Sequence, residues 1–585
     1  MLRTANDRCR LKLAERARRF LRCLCAPSSW MTDRVLRLSL GLLLIACLSS
    51  TGCSLTEWAN NRFKVGPNHH EPPAAVAENW IDSDDPRVID QPPAFEDWWK
   101  VLQDPAIDNL VVLSYQQNLT LREAGMRVIQ ARAQRAIAAG NFYPQSQQMF
   151  GEYDRIQESL NVAAPPPVRF FDQWSTGFDI SWELDVWGKY RRAIESADAN
   201  LEASILDYDA ILVCLIAEVV TAYVDIRTFE QRLAYARHNV RIQEQSHQLT
   251  EARAKEGGTG DISVHLSLAN VNATRARIPS LNIGLRQASN RLCVLLGMPP
   301  EDLGYLLGEK TGIPVAPREV AVGIPADLLR RRPDVRAAER DVAAQSAQIG
   351  VAAAELYPSI SVTGEIALES EQFSDLFRSR SQSASIGPSF RWNILNYGRI
   401  QNNVRLQDAR LQELIASYQN AVLVANQELE DALVVFLQTQ DRVELLETSV
   451  RETQRALALE TLNFKEGETD FTGVFVLQGE LVAKEDQLAE AEGQAVSSLV
   501  AVYKALGGGW QIRCTGFQPH VINEETTEIE TEAEEIPAPS ESTISVPTTY
   551  LPPVPASDNR FTPGATHLWH ESNPTYPISE AAYHE

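Results

Sequence analysis

The eleven residues ELYPSISVTGE, Glu355 to Glu365, change period in their middle. Upstream, IPADLLRRRPDVRAAERDVAAQSAQIGVAAA carries apolar residues at three- and four-residue intervals among alanine, arginine and glutamate, the spacing that keeps one face of a helix apolar. After Pro358 the spacing becomes two. Ile360, Val362, Gly364, Ile366 and Leu368 fall on one side and Ser359, Ser361, Thr363 and Glu365 on the other, as in a strand with one apolar and one polar face. A long helix thus runs directly into a two-faced strand.

The junction occurs twice. AAGNFYPQS at 138–146 matches AAAELYPSI at 352–360, an offset of 214 between Tyr143 and Tyr357. SWELDVWGKYRRAIESADANLEASILDY, ending at Tyr208, matches FRWNILNYGRIQNNVRLQDARLQELIASY, ending at Tyr418, at an offset of 210. The same offset carries Glu218 onto Glu428 and AKEGGTG at 254–260 onto FKEGETD at 464–470. Several anchors in one order make the chain a duplicated unit.

Each unit holds two strand candidates. In the first, Thr176, Phe178, Ile180, Trp182, Leu184 and Val186 alternate with polar residues; in the second, Ala384, Ile386, Pro388, Phe390, Trp392 and Ile394 do. Their partners follow Pro144 and Pro358, the former alternating only weakly. Strands of about ten residues with aromatics near an end suit a membrane barrel with a wet lumen, although alternation alone favours an ordinary half-buried antiparallel sheet. The helices weigh for the barrel. No proline stands between Pro167 and Pro279 or between Pro388 and Pro519, so helices run from Gly188 to Gly257 and from Gly398 to Gly467, about 100 Å each. Return helices over 260–297 and 470–506 reach only about 55 Å, and the segments 105–142 and 325–356 supply the missing length. The fold class expected is mainly α with a small transmembrane β part. Four strands per chain cannot close a membrane barrel, for which known examples start at eight, so several chains must share one.

Composition limits the partners. A net charge of -23 argues against nucleic acid. Twelve acidic residues against one arginine lie between Glu524 and Glu585, in a Glu-, Thr-, Ser- and Pro-rich tail that reads as disordered. Near the start, MTDRVLRLSLGLLLIACLSSTGCS has a basic beginning, an apolar run from Leu38 to Leu48 and small residues before Cys53, the pattern of an export signal. Either Met1 or Met31 serves as its start. Four of the eight cysteines, Cys9, Cys23, Cys25 and Cys47, lie in the segment an export signal would remove. Cys214 and Cys293 read as core residues. None of the cysteines, nor the nine histidines, has metal-ligand spacing, and no nucleophile arrangement stands out. No cofactor, metal or catalytic residue is therefore expected.

VGP at 65–67, WWKVLQDPAIDNL at 98–110, IPADLLRRRPDVRAAE at 324–339, YPSISVTG at 357–364 and YKALGGGW at 503–510 together make the chain resemble the bacterial outer membrane efflux proteins, the TolC/OprM-like channels of tripartite drug pumps, and in particular their lipoprotein branch. The likeness runs from Cys53 to Trp510. It implies a homotrimer in the outer membrane, a twelve-stranded barrel continued by a periplasmic tunnel of long antiparallel helices, working with a periplasmic adaptor and an inner-membrane transporter. The divisions expected are a leader over 1–52, an anchored linker over 53–104, repeats over 105–311 and 312–510, and the tail over 511–585. Cys53 is the expected lipidation site, with Thr51 and Gly52 fitting the lipoprotein pattern and Ser50 standing where leucine is usual. Ordinary cleavage would leave a free cysteine there. The turns at Gly257, Gly258 and Gly467 are the expected adaptor contacts. In related channels an apolar segment and an aspartate after the second turn narrow the periplasmic mouth. Matching KEGETDFTGVFVLQGEL to that pattern puts Val474 and Phe475 at the apolar positions and Val476 where the acid stands, so the acid is missing or displaced to Asp470. Phe475 reads equally as core. Two rival functions remain: a channel for protein secretion, and a periplasmic coiled-coil scaffold without a pore.

Replacing the anchor residue, Cys53→Ser, is expected to abolish metabolic lipid labelling while the chain still reaches the outer membrane through its strands. Labelling that persists would place the lipid elsewhere or remove it from the account.

Overall fold

The structure, a computed structural model, describes residues 58–89, 96–164, 167–308, 312–323 and 331–515. The leader with both candidate start residues, Cys53 and nearly all of the acidic tail lie outside them. Residues up to Gly509 form one compact unit; Trp510 onward forms a second, of which only the one-turn helix Ile512–Thr515 is described beyond its first residues.

Thirteen labelled elements make up the larger unit. In chain order they are β1 (Val88–Ile89), α1 (Pro105–Gln117), α2 (Leu119–Gly140), β2 (Ser146–Gln157), β3 (Phe170–Leu184), α3 (Lys189–Lys255), α4 (Asp261–Leu295), β4 (Val320–Ala321), α5 (Pro333–Ala354), β5 (Ser359–Ser370), β6 (Gln382–Arg391), α6 (Arg399–Glu466) and α7 (Phe471–Ala505). The order α2-β2-β3-α3-α4 recurs as α5-β5-β6-α6-α7, so the repeat read from the sequence is also a repeat of structure. The long helices α3 and α6 hold 67 and 68 residues, close to the lengths expected.

Three boundaries differ from expectation. The segment 105–142 is two helices, because Asn118 breaks it with ψ 125°. Asn118 Oδ1 accepts from Leu121 N at 2.8 Å and so caps α2, while its Nδ2 donates to the Leu295 carbonyl at 2.9 Å, fixing the break against the end of α4. In the second repeat Arg332, with ψ 120°, interrupts the expected segment 325–356, and α5 runs from Pro333, in its first turn, with Asp334 at the favourable positive end; residues 324–330 lie outside the described ones. The strand expected through Ile394 stops at Arg391.

Tryptophans pin the strand–helix corners. Pro358 bars the preceding residue from helical geometry, so α5 ends at Ala354 and β5 starts at Ser359. The Trp187 indole donates to the freed Pro358 carbonyl at 2.8 Å and stacks on Tyr357 at 4.6 Å. Trp182 does the same work in the first repeat, donating to the Phe142 carbonyl at 3.2 Å. Burial then does the rest along the helices. The most continuous buried stretch of α3 lies between Leu212 and Ile226, facing Trp98, Trp99, Ile107 and Leu110 of the preceding segment as the core of the molecule's middle. Tyr503 of α7 stacks on Trp98 at 5.2 Å, which accounts for two of the motifs noted above.

The other short motifs hold the frame together. The buried Arg192 donates to the Val65 and Gly66 carbonyls and to Asn68 Oδ1, clamping the VGP segment onto α3. Arg332 donates to Asp334 at 2.7 Å and to the Ala505 carbonyl at 3.1 Å and pairs with Glu428 at 2.7 Å, joining the start of α5 to α6 and the end of α7. Burial works to raise the Asp334 carboxyl, but the hydrogen bonds and charge of Arg332 outweigh it and hold its pKa below the ordinary carboxylate value. The pair therefore stabilises above the usual aspartate range and loses that contribution only as pH falls through the depressed value.

Candidate functional site

Two regions carry chemistry: the faces of the sheet and the far ends of the helices. The four long strands form one antiparallel sheet in the order β2-β3-β5-β6. Its register sorts the side chains. Phe178 stands opposite Met149 and Ile366, Trp182 opposite Val362, and Ile360 opposite Phe390, so one face is apolar. The other face pairs Gln148 and Glu365 with Asp179, Ser181 with Thr363, and Glu365 with Ser385. Arg155 and Asp172, the charged residues of the apolar face, stand opposite each other at its far end, 3.4 Å apart. Among the described residues the outer strands β2 and β6 have no partner on their free edges.

At the other end, the turns α3–α4 and α6–α7 are built alike. Gly257 and Gly467 have φ of +74° and +85°, and Gly257 N and Gly467 N donate to the carbonyls of Ala254 and Phe464. One residue on, Gly258 N and Glu468 N donate to the carbonyls of Arg253 and Asn463 at 2.8 and 2.9 Å. This closing pattern needs a residue in the left-handed region, which glycine enters without steric cost. The two turns are joined. Arg253 donates to the Phe464 carbonyl and lies over the Phe464 ring at 4.7 Å, and Phe464 meets Phe471 edge-on at 5.5 Å. This link is not legible in the repeat, because position 463, equivalent to Arg253, is asparagine.

Between turns and mid-molecule, the contacts within a helix pair differ from those between pairs. Inside α6–α7 runs an apolar core of Val450, Leu457, Phe464, Phe471, Val474, Leu481 and Leu488. Inside α3–α4 are Leu233, Ala236 and Leu281. Toward the turns Leu249 of α3 and Leu266 of α4 pack on the α6–α7 core, and the rest of the seam between the pairs is held by polar groups. Arg232 grips Asp486 with two bonds of 2.7 and 2.9 Å, Asn239 donates to Glu485 at 2.5 Å, Asn270 to Gln478 at 3.1 Å, and Gln478 to Ser246 at 2.8 Å. Hydrogen bonding to Asp486 raises the Arg232 pKa against the opposing effect of burial, so this guanidinium stays charged. The buried Gln243 in the same seam has neither amide atom satisfied by the protein.

The four mouth candidates take different places. Val474 is 1% exposed and belongs to the apolar core of the α6–α7 pair. Phe475 is half-buried and packs on the same cluster. Val476 is 48% exposed and shares a helix face with exposed Thr472 and Glu480. Asp470 caps α7, its carboxylate accepting from Thr472 N at 2.9 Å. Val474, Phe475 and Val476 are all apolar, so hydrophobicity could not tell which of three successive helical directions faces inward; the positions of Phe471, Leu481 and Leu488, at helical spacing from Val474, could have.

Comparison with known proteins adds an independent finding. A family model described as "Outer membrane efflux protein" matches twice, over residues 110–298 and 324–508. Among curated proteins, Nodulation protein T of Rhizobium leguminosarum bv. viciae is 30% identical over 455 residues, spanning 76% of this chain and 90% of that protein. Outer membrane protein OprJ of Pseudomonas aeruginosa is 27% identical, spanning 76% and 93%. Among solved structures, the outer-membrane channel OprN is 32% identical with a TM-score of 0.72, covering 76% of this chain and 99% of that one.

Truncating the half-buried ring, Phe475→Ala, is expected to lower stability by about 2 kcal/mol, less than for a fully buried phenylalanine, and to leave resting conductance unchanged. Thermal unfolding and bilayer conductance of the same preparation decide it: a rise in conductance without loss of stability would put Phe475 at the opening.

Proposed function

The chain belongs to the outer membrane efflux protein family, and from that premise we propose how this outer membrane channel carries solutes out of the cell. Three copies assemble around one axis. The observation that carries the reading is the four-stranded sheet, apolar on one face, polar on the other and unpaired at both edges, continuous with paired helices of about 100 Å. Edges β2 and β6 of neighbouring copies pair to close a twelve-stranded barrel, the apolar face meets lipid and the polar face lines the lumen. The helices continue the duct toward the inner membrane. Residues 53–104 form a strap anchored at Cys53, 105–311 and 312–510 are the two repeats, and 511–585 is the tail.

The duct is passive. A periplasmic adaptor meets it at the turns of Gly257, Gly258 and Gly467, and an inner-membrane transporter supplies the driving force. The solutes are small molecules, in keeping with the names of relatives such as the pyoverdine export outer membrane protein OpmQ and the toluene efflux pump outer membrane protein TtgF, both of Pseudomonas putida. The mouth is narrowed by the exposed face of α7 at Thr472 and Val476, with Asp470 at the turn and Val474 and Phe475 as the core behind it. Opening parts the helix pairs along their polar seam. Exchanging those hydrogen bonds for bonds to water costs little, about 1 kcal/mol each, whereas splitting the apolar core of a pair would expose its whole interior.

Two experiments test this. Gly467→Pro forces φ from +85° toward -65° and removes the donor to Phe464, so a stable trimer carrying it should export poorly; wild-type export would take the turn out of the docking surface. Asp486→Asn weakens the grip of Arg232 across the seam and should raise the resting conductance of purified trimers in a planar bilayer. An assembled variant with wild-type conductance would show that the seam does not govern opening.

A further inference from the structure

The polar face of the sheet is strongly acidic. Register places Glu152, Asp154, Asp179, Glu183, Glu365 and Glu369 on it, against Arg391 alone, which sits at its helix-proximal end opposite Ser359. Two of these carboxylates are unlike the rest. Asp179 and Glu365 stand directly opposite each other on adjacent strands, where like charges destabilise a sheet. The side chains of Glu183 and Glu369 accept from the Tyr190 and Ser383 hydroxyls, whereas those of Asp179 and Glu365, like those of Glu152 and Asp154, have no hydrogen bond or ion pair among the described residues. Both open into one polar recess of about 350 Å³ together with Gln148, Thr363 and Ser385. A fold selected only for stability would put serine or threonine here, as it does one pair along at Ser181 and Thr363.

The periplasmic mouth lacks the matching feature. Its exposed helix face bears Val476 and Glu480, but Glu480 is paired with Lys484 one turn on at 3.8 Å, and Asp470 is engaged in capping its own helix. We infer that the ion preference of this channel is set inside the barrel, by the facing carboxylates Asp179 and Glu365, and favours cationic solutes. The inference rests on the trimeric channel proposed above. Threefold repetition then places six carboxylates at one level of the lumen, within a wall of low dielectric that focuses their field and raises the local concentration of cations.

Purified full-length protein in a planar bilayer under a potassium chloride gradient supplies the test, read as the potassium-to-chloride permeability ratio. The wild type should prefer potassium, and the isosteric pair Asp179→Asn with Glu365→Gln should bring the ratio down by about twofold or more toward unity. Glu365→Lys, which exchanges a repulsion for an ion pair with Asp179, should fold at least as well and lower the ratio further. It carries the test if the neutral pair assembles poorly. A conducting wild type whose ratio is unchanged in these variants overturns the inference and leaves the channel standing; a wild type that assembles but conducts no ions overturns both.

Discussion

The free edges of β2 and β6 constrain everything else in this protein. In lipid no water is present to satisfy the exposed N–H and C=O groups of an edge strand, and each one left bare costs several kcal/mol. A four-stranded sheet in a membrane is therefore incomplete by itself, and the chain must be built so that copies meet at the right angle. The corners impose that angle. Trp182 and Trp187 bond to carbonyls freed by the Tyr-Pro turns, so each strand leaves its helix in a fixed direction, and the helix pairs below inherit the arrangement of the strands above.

Duplication supplies the strands economically. Each repeat contributes one hairpin, and the two join through the β3–β5 pairing, where Phe178 faces Ile366 and Trp182 faces Val362. Because a one-residue slip would turn every apolar side chain toward the lumen, the alternation itself enforces register. The same logic explains why Asp179 and Glu365 meet. Both occupy polar-face positions, and the register that keeps the outer face apolar brings them together.

Much of this was legible in the sequence. The change of period at Pro358, the proline-free spans and the paired glycines gave the strands, the helix lengths and the turns, because each rests on local chemistry: a fixed φ, a period, a left-handed cap. What could not be read depends on which elements meet. Asn118 looked like one polar residue in a helical run, and only the proximity of the Leu295 carbonyl makes a break there favourable. Arg253, Arg192 and Arg232 lie on a long helix whose period shows no partner for them, and each reaches one far away in the chain, at Phe464, Val65 and Asp486. At the mouth, three successive apolar residues offered no contrast by which to choose the lumen-facing one.

The strap over 58–89 shows why motion should be confined to the helix ends. From Arg192 it descends beside α6, where Gln419 donates to the Pro73 carbonyl, Glu430 accepts from Ile81 N, and Arg87 bonds to the Leu437 carbonyl and to Asp441. At its lower end β1 pairs in parallel with β4, in the segment between the repeats, and Trp80 donates to the Gly323 carbonyl at 2.7 Å. One segment thus touches α3, α6 and the inter-repeat connection, tying both repeats together over the half of the molecule nearest the sheet. Arg332 reinforces the same level by joining α5, α6 and α7. Below Asp441 these ties are absent among the described residues, and the contacts between helix pairs include the hydrogen-bonded seam, the packing of Leu249 and Leu266 on the α6–α7 core, and the Arg253 link. A structure stapled along one half and hydrogen-bonded along the other can part its lower helices while its barrel and middle stay closed against leakage.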